Sequence, residues 1–270
     1  QRLFVMIVSI LLTREIVYSQ QLVHMGFTSS DNVHFIVTDP VGRKTGRDPR
    51  GATSRSEGIE INEIPEANYS FESVGDIPDS GEVPNAIYYH VFAYSFESPQ
   101  NDGSYLIQVI GIELGQFDFY VGVDPAGNSV RQKCRFIIKN ALIDQDSVIS
   151  YQLLYNGMPG SPMTLKKIVT SGTLRQDLSA SFKLKLLGDN NFFDELNNHL
   201  DKVEKELAQN DSTKAREKLE EFEKKIDKER EETIKHEQRG QKEKQRFMTE
   251  DAYRILKEDV QLLLATLPRK

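Results

Sequence analysis

The abrupt change in charge density near Gly188 is the feature that most constrains the fold. Residues 189–270 contain 39 Asp, Glu, Lys and Arg residues among 82, whereas residues 1–188 contain 36 among 188. Nine of the ten prolines lie at or before Pro162. Proline breaks helices, and dense mixed charge is typical of solvated helical faces. The sequence therefore predicts a multidomain all-β plus all-α chain, with an antiparallel β-sandwich over residues 21–187 and a small three-helix bundle or hairpin over residues 189–270.

The first twenty residues carry an apolar run at positions 3–12 with Arg2 before it. A helix that spans a membrane needs about 20 apolar residues, so this run is too short to be one. It is typical of the core of a secretory signal peptide, with cleavage after a small residue such as Ser19. We predict a signal peptide over residues 1–20, hence a secreted chain without an integral membrane span; the alternative is a buried element of the folded domain.

Short apolar runs recur through residues 21–187, each rich in β-branched and aromatic residues and bounded by Gly, Pro, Asn or Asp. Several alternate with period two, as Tyr105, Ile107 and Val109 do, which is typical of half-buried strands. Many short strands with turn residues between them indicate a sandwich. The candidate strands are 22–27, 33–38, 59–64, 86–94, 104–113, 116–123, 130–138, 148–155, 165–169 and 182–187.

Residues 37–49 contain two Asp-Pro pairs and two glycines. Asp before Pro favours a turn, and each Gly permits a positive φ, so the segment predicts a tight β-hairpin. A second interpretation is a Ca²⁺ site, since Ca²⁺ prefers carboxylate oxygens. Asp39 and Asp48 would supply them, with Asp76 or Asp79 from the following loop.

The candidate strand 86–94 and the residues after it are rich in aromatic side chains. Tyr88, Tyr89, Tyr94 and Phe96 could form a ligand surface that binds sugar rings. Their spacing, together with Phe92, is also the spacing of residues that pack inside a sandwich, and this interpretation is favoured.

Sequence motifs of catalysis are missing from the chain. No two of the five histidines have zinc-site spacing, and there is no nucleophile elbow or phosphate-binding loop. The lone Cys134 has no partner for an internal disulfide and is interpreted as a buried thiol. The sequence predicts a protein that is not an enzyme and that has no cofactor, with bound Ca²⁺ as the alternative. A pI of about 5.4 argues against nucleic acid as a partner.

Two stretches of the β domain resemble a module of bacterial secreted and surface proteins. Residues 35–46 and 62–69 are similar to its TDPxGRxTGxDP … NEIPxAxY pattern, and residues 103–121 are similar to its later strand pair, with Phe117 in the place of a Tyr. The resemblance implies a β-sandwich and an extracellular, bacterial setting. It implies no particular reaction.

Three helices are predicted in residues 189–270. The first runs from about 191 to 209, and Asp211 or Ser212 caps the second. The third begins near Thr249. Between them, residues 227–246 are mostly charged, with Ile234 as the one aliphatic residue, so this stretch is either an exposed helical extension or a disordered loop. The stripes that define the helices are Phe192, Phe193, Leu196, Leu200, Val203 and Leu207; Ala215, Leu219, Phe222 and Ile226; and Ala252, Ile255, Leu256, Val260, Leu263 and Leu267.

The helical stripes resemble the C-terminal helical module called FIMAH in bacterial extracellular proteins, on residues 207–211, Ala215, Leu219, Phe222 and the late stripe of the third helix. The charged run at 227–246 departs from the short linker of that module. The alternative is a generic coiled coil or helical spacer.

These features favour a non-enzymatic secreted or cell-surface protein. Its β-sandwich would serve interaction or adhesion, its helices would serve assembly, and its partner would be a protein or a cell-surface glycan. One alternative is an accessory module of an extracellular hydrolase that binds glycan or Ca²⁺. The other is an intracellular coiled-coil interaction protein, with residues 3–12 as part of its core.

Overall fold

A computed structural model describes residues 21–54, 57–74, 87–98, 101–125, 134–157, 161–239 and 246–268. The predicted signal peptide over residues 1–20, and Asp76 and Asp79, lie outside the described residues. The strands are β1 (Gln21–Ser30), β2 (Val33–Thr38), β3 (Lys44–Asp48), β4 (Ile59–Asn62), β5 (Ala67–Val74), β6 (Ile87–Ser98), β7 (Gly103–Gly111), β8 (Gly115–Pro125), β9 (Cys134–Ile143), β10 (Val148–Tyr155) and β11 (Thr164–Ile168). The helices are α1 (Ser171–Lys183), α2 (Asn190–Ala208), α3 (Ser212–Gln238) and α4 (Glu250–Thr266).

The strands form two antiparallel sheets, which confirms the predicted antiparallel β-sandwich followed by helices. Sheet A has the strand order β5-β6-β1-β8-β9, and sheet B has the order β11-β10-β7-β2-β3-β4. Alternate residues of each strand face the space between the sheets, so aromatic rings fill it. Phe27 lies 5.1 Å from Phe92 and 6.1 Å from Phe119, measured between ring centroids.

The predicted hairpin at residues 37–49 is confirmed, because β2 and β3 pair with Thr38 opposite Lys44. Gly46 on β3 has a φ of +146°, and a Cβ there would lie 2.1 Å from the carbonyl oxygen of Phe35. Only glycine fits this close approach of two backbones.

Helix α1 lies within the region where the sequence predicted only strands. Thr170 caps it, since its side chain accepts from the backbone N–H of Thr173 while the Thr173 hydroxyl accepts from the Thr170 N–H. Leu174 and Leu178, one helical turn apart, are buried. The predicted strand at 182–187 is wrong, since these residues form the end of α1 and a turn, with an isolated bridge at Leu187. The bundle therefore has four described helices instead of three.

The other helices follow the predicted stripes. Asp211 caps α3 and Thr249 caps α4, each through its side chain. The charged segment 227–246 is helical as far as Gln238, where α3 ends, and residues 240–245 lie outside the described part. The shared core of the helices contains Leu174, Leu178, Phe192, Leu196, Leu200, Leu219, Phe222, Ile226, Leu256 and Val260.

Helices α1 and α4 pack against the side of the sandwich where β9 borders sheet A and β11 borders sheet B. Leu142 of β9, Ala180 of α1 and Ile255 of α4 share a small buried cluster. The Arg254 guanidinium donates to the carbonyl oxygen of Lys139, at 3.2 Å. The helices therefore cover strand edges that would otherwise be open to pairing. No helix in the described ranges is long and apolar enough to cross a membrane.

Candidate functional site at the junction of sandwich and helices

A concentration of buried charge lies where the helices meet β11. The Lys167 ammonium donates to Asp177 Oδ2 and to Asp259 Oδ1, both at 2.6 Å. We call these three residues the Lys167 cluster. Its members come from β11, α1 and α4, so the cluster joins the sandwich to two helices.

Local structure explains why these side chains meet. Lys167 pairs with Tyr151 of β10 across sheet B. Asp177 precedes Leu178 on the buried face of α1, and Asp259 precedes Val260 on the buried face of α4. Because the apolar faces of the two helices are buried, both carboxylates are buried with them and lie next to Lys167.

The surroundings shift the ionisation of the cluster. Burial, together with the adjacent Asp177 carboxylate, raises the pKa of Asp259 well above its ordinary value. Burial alone would lower the pKa of Lys167, but Asp177 and Asp259 outweigh it and raise that pKa. Burial also raises the pKa of the Tyr151 phenol. Strongly shifted groups in a cleft are typical of functional sites and of structural ion clusters alike.

A cavity of about 240 Å³ lies beside the cluster. Its wall includes Phe136, Ile138, Leu165 and Tyr151, with Lys167 and Asp259 at one side. Asp259 Oδ2 is buried and has no hydrogen-bond partner within the described ranges. Two carboxylates bind the Lys167 ammonium and favour its charged form, which is not nucleophilic. The arrangement therefore suits the binding of a proton better than nucleophilic attack.

A second buried cluster lies towards the other edge of sheet A. His34 Nδ1 and the Tyr69 hydroxyl are 2.9 Å apart, and the His34 and His90 ring centroids are 4.3 Å apart. Burial, His34 and the nearby Arg47 lower the pKa of His90 to about 3. We call His34, His90 and Tyr69 the histidine cluster. It holds His90 neutral at ordinary pH.

Of the proposed Ca²⁺ ligands, Asp39 lies in the turn between β2 and β3, and Asp48 is the last residue of β3. Asp39 accepts from the backbone N–H groups of Val41 and Arg43 and pairs with the Arg43 guanidinium at 2.7 Å. Asp48 pairs with Arg50 at 2.8 Å. Asp48 lies five residue steps along the strand from Arg43, the partner of Asp39, which is roughly 16 Å, so the structure does not bring the two carboxylates together. In the described ranges, no three His, Cys, Asp or Glu residues form a group that could hold a metal ion.

The aromatic residues proposed as a ligand surface all lie on β6. Tyr94 is only 4% exposed and belongs to the core of the sandwich, which corrects its assignment to a surface. The reason is alternation, since Tyr94 shares the inward face of β6 with Phe92. Tyr88, Tyr89 and Phe96 occupy the same strand.

The outer face of sheet A exposes other apolar side chains. Tyr120 of β8 is 40% exposed and lies directly opposite Ile137 of β9, which is 56% exposed. The neighbouring row of residues across the sheet has small side chains or none. It consists of Ala93 of β6, Gly26 of β1 and Gly122 of β8, which are paired with one another. We call these five residues the sheet A patch.

Sequence reasoning did not find the Lys167 cluster or the sheet A patch. Lys167 stands beside Lys166 as an ordinary strand lysine, and Asp177 and Asp259 are each one carboxylate among many. No protein-family model matches the chain, and no curated protein matches it.

Proposed function

We propose that the chain is a non-enzymatic interaction module of a secreted or cell-surface bacterial protein. In this proposal the β-sandwich binds a partner protein through the sheet A patch. The helices serve assembly and hold the sandwich through the Lys167 cluster. The observation that best supports the proposal is the exposed pair formed by Tyr120 and Ile137.

Tyr120 and Ile137 offer apolar area on a sheet face. Aromatic residues are enriched at the centres of protein interfaces, and a few such residues carry most of the binding energy. Tyr120 also presents a hydroxyl, which lies 3.3 Å from Asp118 Oδ2. The pair therefore combines apolar contact with a polar group of fixed position.

The glycines of the patch add a second argument. Glycine inside a strand lowers stability, and it often marks a place where another backbone approaches closely. A Cβ at Gly46 or Gly111 would lie about 2 Å from a backbone oxygen of this chain, which explains both residues. At Gly26 and Gly122 the nearest atoms to a Cβ are 3.8 Å and 4.0 Å away, so no contact with the described residues requires glycine. A partner that packs directly on the backbone of this sheet would explain why Gly26 and Gly122 carry no side chain.

Glycan binding, as in an accessory module of a hydrolase, is the second candidate. It is favoured by the exposed Tyr120 ring beside the Asp118 carboxylate, since sugar rings stack on aromatic faces and their hydroxyls bind carboxylates. The coiled-coil candidate has less support, because Leu219, Phe222 and Ile226 of α3 are buried inside this chain's own helical core.

A binding assay with matched variants tests the proposal. Labelled protein is titrated onto intact cells that produce it and onto a glycan array, with Tyr120→Ser and Ile137→Ser as variants. Val41→Ser is the control, since Val41 is 71% exposed in the β2–β3 turn, away from sheet A. We expect each patch variant to weaken binding to cells about tenfold or more, with Val41→Ser unchanged.

The pattern of losses separates the candidates. Dependence on Tyr120 alone, with binding on the array, would favour the glycan. Binding to cells that neither patch variant weakens would contradict the proposed surface. N-terminal sequencing of the native protein tests secretion, since the mature chain would then begin near Gln20.

A further inference from the structure

The Lys167 cluster contains two carboxylates and one ammonium group. With all three ionised it would hold an excess negative charge in a place where Asp177 and Asp259 are almost wholly shielded from solvent. A buried charge without compensation is strongly unfavourable, and such groups neutralise instead. The cluster therefore needs one more positive charge than its side chains supply.

The geometry indicates where that charge is held. Asp177 Oδ2 and Asp259 Oδ1 each lie 2.6 Å from the same Lys167 nitrogen, so the two carboxylates are close neighbours. Asp259 Oδ2 is buried and lacks a hydrogen-bond partner in the described ranges. A proton between the carboxylates would neutralise the cluster and give a polar contact to an otherwise unpaired group. Two carboxylates in one site characteristically share a proton in this way.

We propose that Asp177 and Asp259 share one proton in the folded chain, and that release of this proton loosens helices α1 and α4 from strand β11. The cluster is then a pH-sensitive latch between the sandwich and the helices. The raised pKa of Asp259 agrees with this geometry.

Charged and titratable groups from α1, α4, β9, β10 and β11 surround Asp259. Within hydrogen-bond distance Lys167 is the compensating cation, whereas the Arg254 guanidinium is engaged with the backbone of β9. Among the described residues, the charged and titratable groups that face Asp259 or share its cavity wall are Asp177 of α1, Lys167 of β11, Tyr151 of β10, Lys139 of β9, and Glu258 and Arg254 of α4.

The sign of the effect follows from proton linkage. The unfolded chain loses the Asp259 proton near its ordinary pKa of 3.8, whereas the folded chain keeps it to higher pH. Between these two pKa values the folded state binds more protons than the unfolded state, so the stability of the fold falls as pH rises. The folding equilibrium constant drops by up to about tenfold per pH unit until the folded pKa is passed.

Denaturant unfolding between pH 4.5 and pH 9.5 tests the latch on the full chain. The Asp259→Asn variant mimics the protonated carboxyl, and Asp201→Asn is the control, since Asp201 forms an exposed ion pair with Arg175. We expect stability to fall with rising pH in the wild type and in Asp201→Asn, and to fall markedly less in Asp259→Asn, where the buried Tyr151 phenol still contributes near pH 9.5. In the wild type, hydrogen exchange of β11 and α4 should accelerate with pH beyond the intrinsic rate, relative to Asp259→Asn.

Infrared spectroscopy of the wild type labelled with ¹³C-aspartate supplies a measurement that does not depend on how the variant folds. We expect one protonated carboxyl band that persists well above pH 4 and disappears with the loss of stability. A spectrum with only carboxylate bands above pH 5 would overturn the proposal. An equal pH slope in wild type and a folded Asp259→Asn would overturn it as well.

Discussion

Two of the buried groups of titratable side chains in the described ranges, the histidine cluster and the Lys167 cluster, contrast in charge. The histidine cluster places two imidazoles among aromatic rings, with Phe71 4.9 Å from His90 between ring centroids. Its environment stabilises the neutral form of His90. The Lys167 cluster instead groups a cation with two acids. Burial therefore disfavours a proton on His90 and favours one on Asp259.

This contrast predicts opposite responses to pH. Acid adds a proton to His90, whose charged form is disfavoured by burial and by the neighbouring His34 and Arg47, which destabilises the fold. Alkali removes a proton from carboxylates that are already too negative, which also destabilises it. The two clusters therefore limit the pH range of stability from opposite sides, and each can be changed by substitutions that leave the other intact.

Replacing Lys167 by Met should have the largest effect. The change leaves two buried carboxylates with no cation between them, and removal of one partner from a buried ion pair lowers stability by about 3–5 kcal/mol. We expect a loss of this size at pH 7, measured by denaturant unfolding. Acidification should restore part of it, because protonated carboxyls no longer need the ammonium.

The matched control for this variant is Lys183→Met. Lys183 pairs with Asp144, but it is half exposed, and such pairs contribute at most about 1 kcal/mol. If the Lys167→Met and Lys183→Met variants lost the same small amount, or if acid gave no recovery to Lys167→Met, the junction would not depend on its buried charges.

Replacing His90 by Phe should have an intermediate effect that depends on pH. The unfolded His90 binds a proton below its ordinary pKa of 6.5, whereas the folded one does so only near 3. The unfolded state thus holds more protons in this window, and wild-type stability is lost as pH falls below 6.5. One titrating group contributes at most about 1.4 kcal/mol per pH unit.

The difference in unfolding free energy between wild type and His90→Phe isolates this group, because other acid titrations are common to both. We expect the acid slope to become shallower in the variant, with the ring still filling the space. His24→Phe is the control, since His24 is exposed on β1. Equal acid slopes in wild type and His90→Phe would show that His90 titrates normally.

Most of the fold could be predicted from local patterns, but the site could not. Strands β2 and β10 have the predicted ends because turn residues bound a short run rich in β-branched and aromatic residues, and α2 differs from the prediction by one residue at each end. Helix α1 was missed because Leu174 and Leu178 give only a short stripe. The Lys167 cluster joins residues up to 92 positions apart, and this contact depends on how helices dock on a sheet.

Replacing Tyr69 by Phe should have the smallest effect and sharpens the account of the histidine cluster. The change removes the hydroxyl that lies 2.9 Å from His34 Nδ1 and keeps the ring that packs on Phe35 at 5.0 Å between centroids. A hydrogen bond of this kind contributes about 1 kcal/mol. We expect a loss of that size at pH 7 with little change in acid slope, because the slope belongs to His90. A variant that also lost the slope would show that the three side chains titrate as one unit.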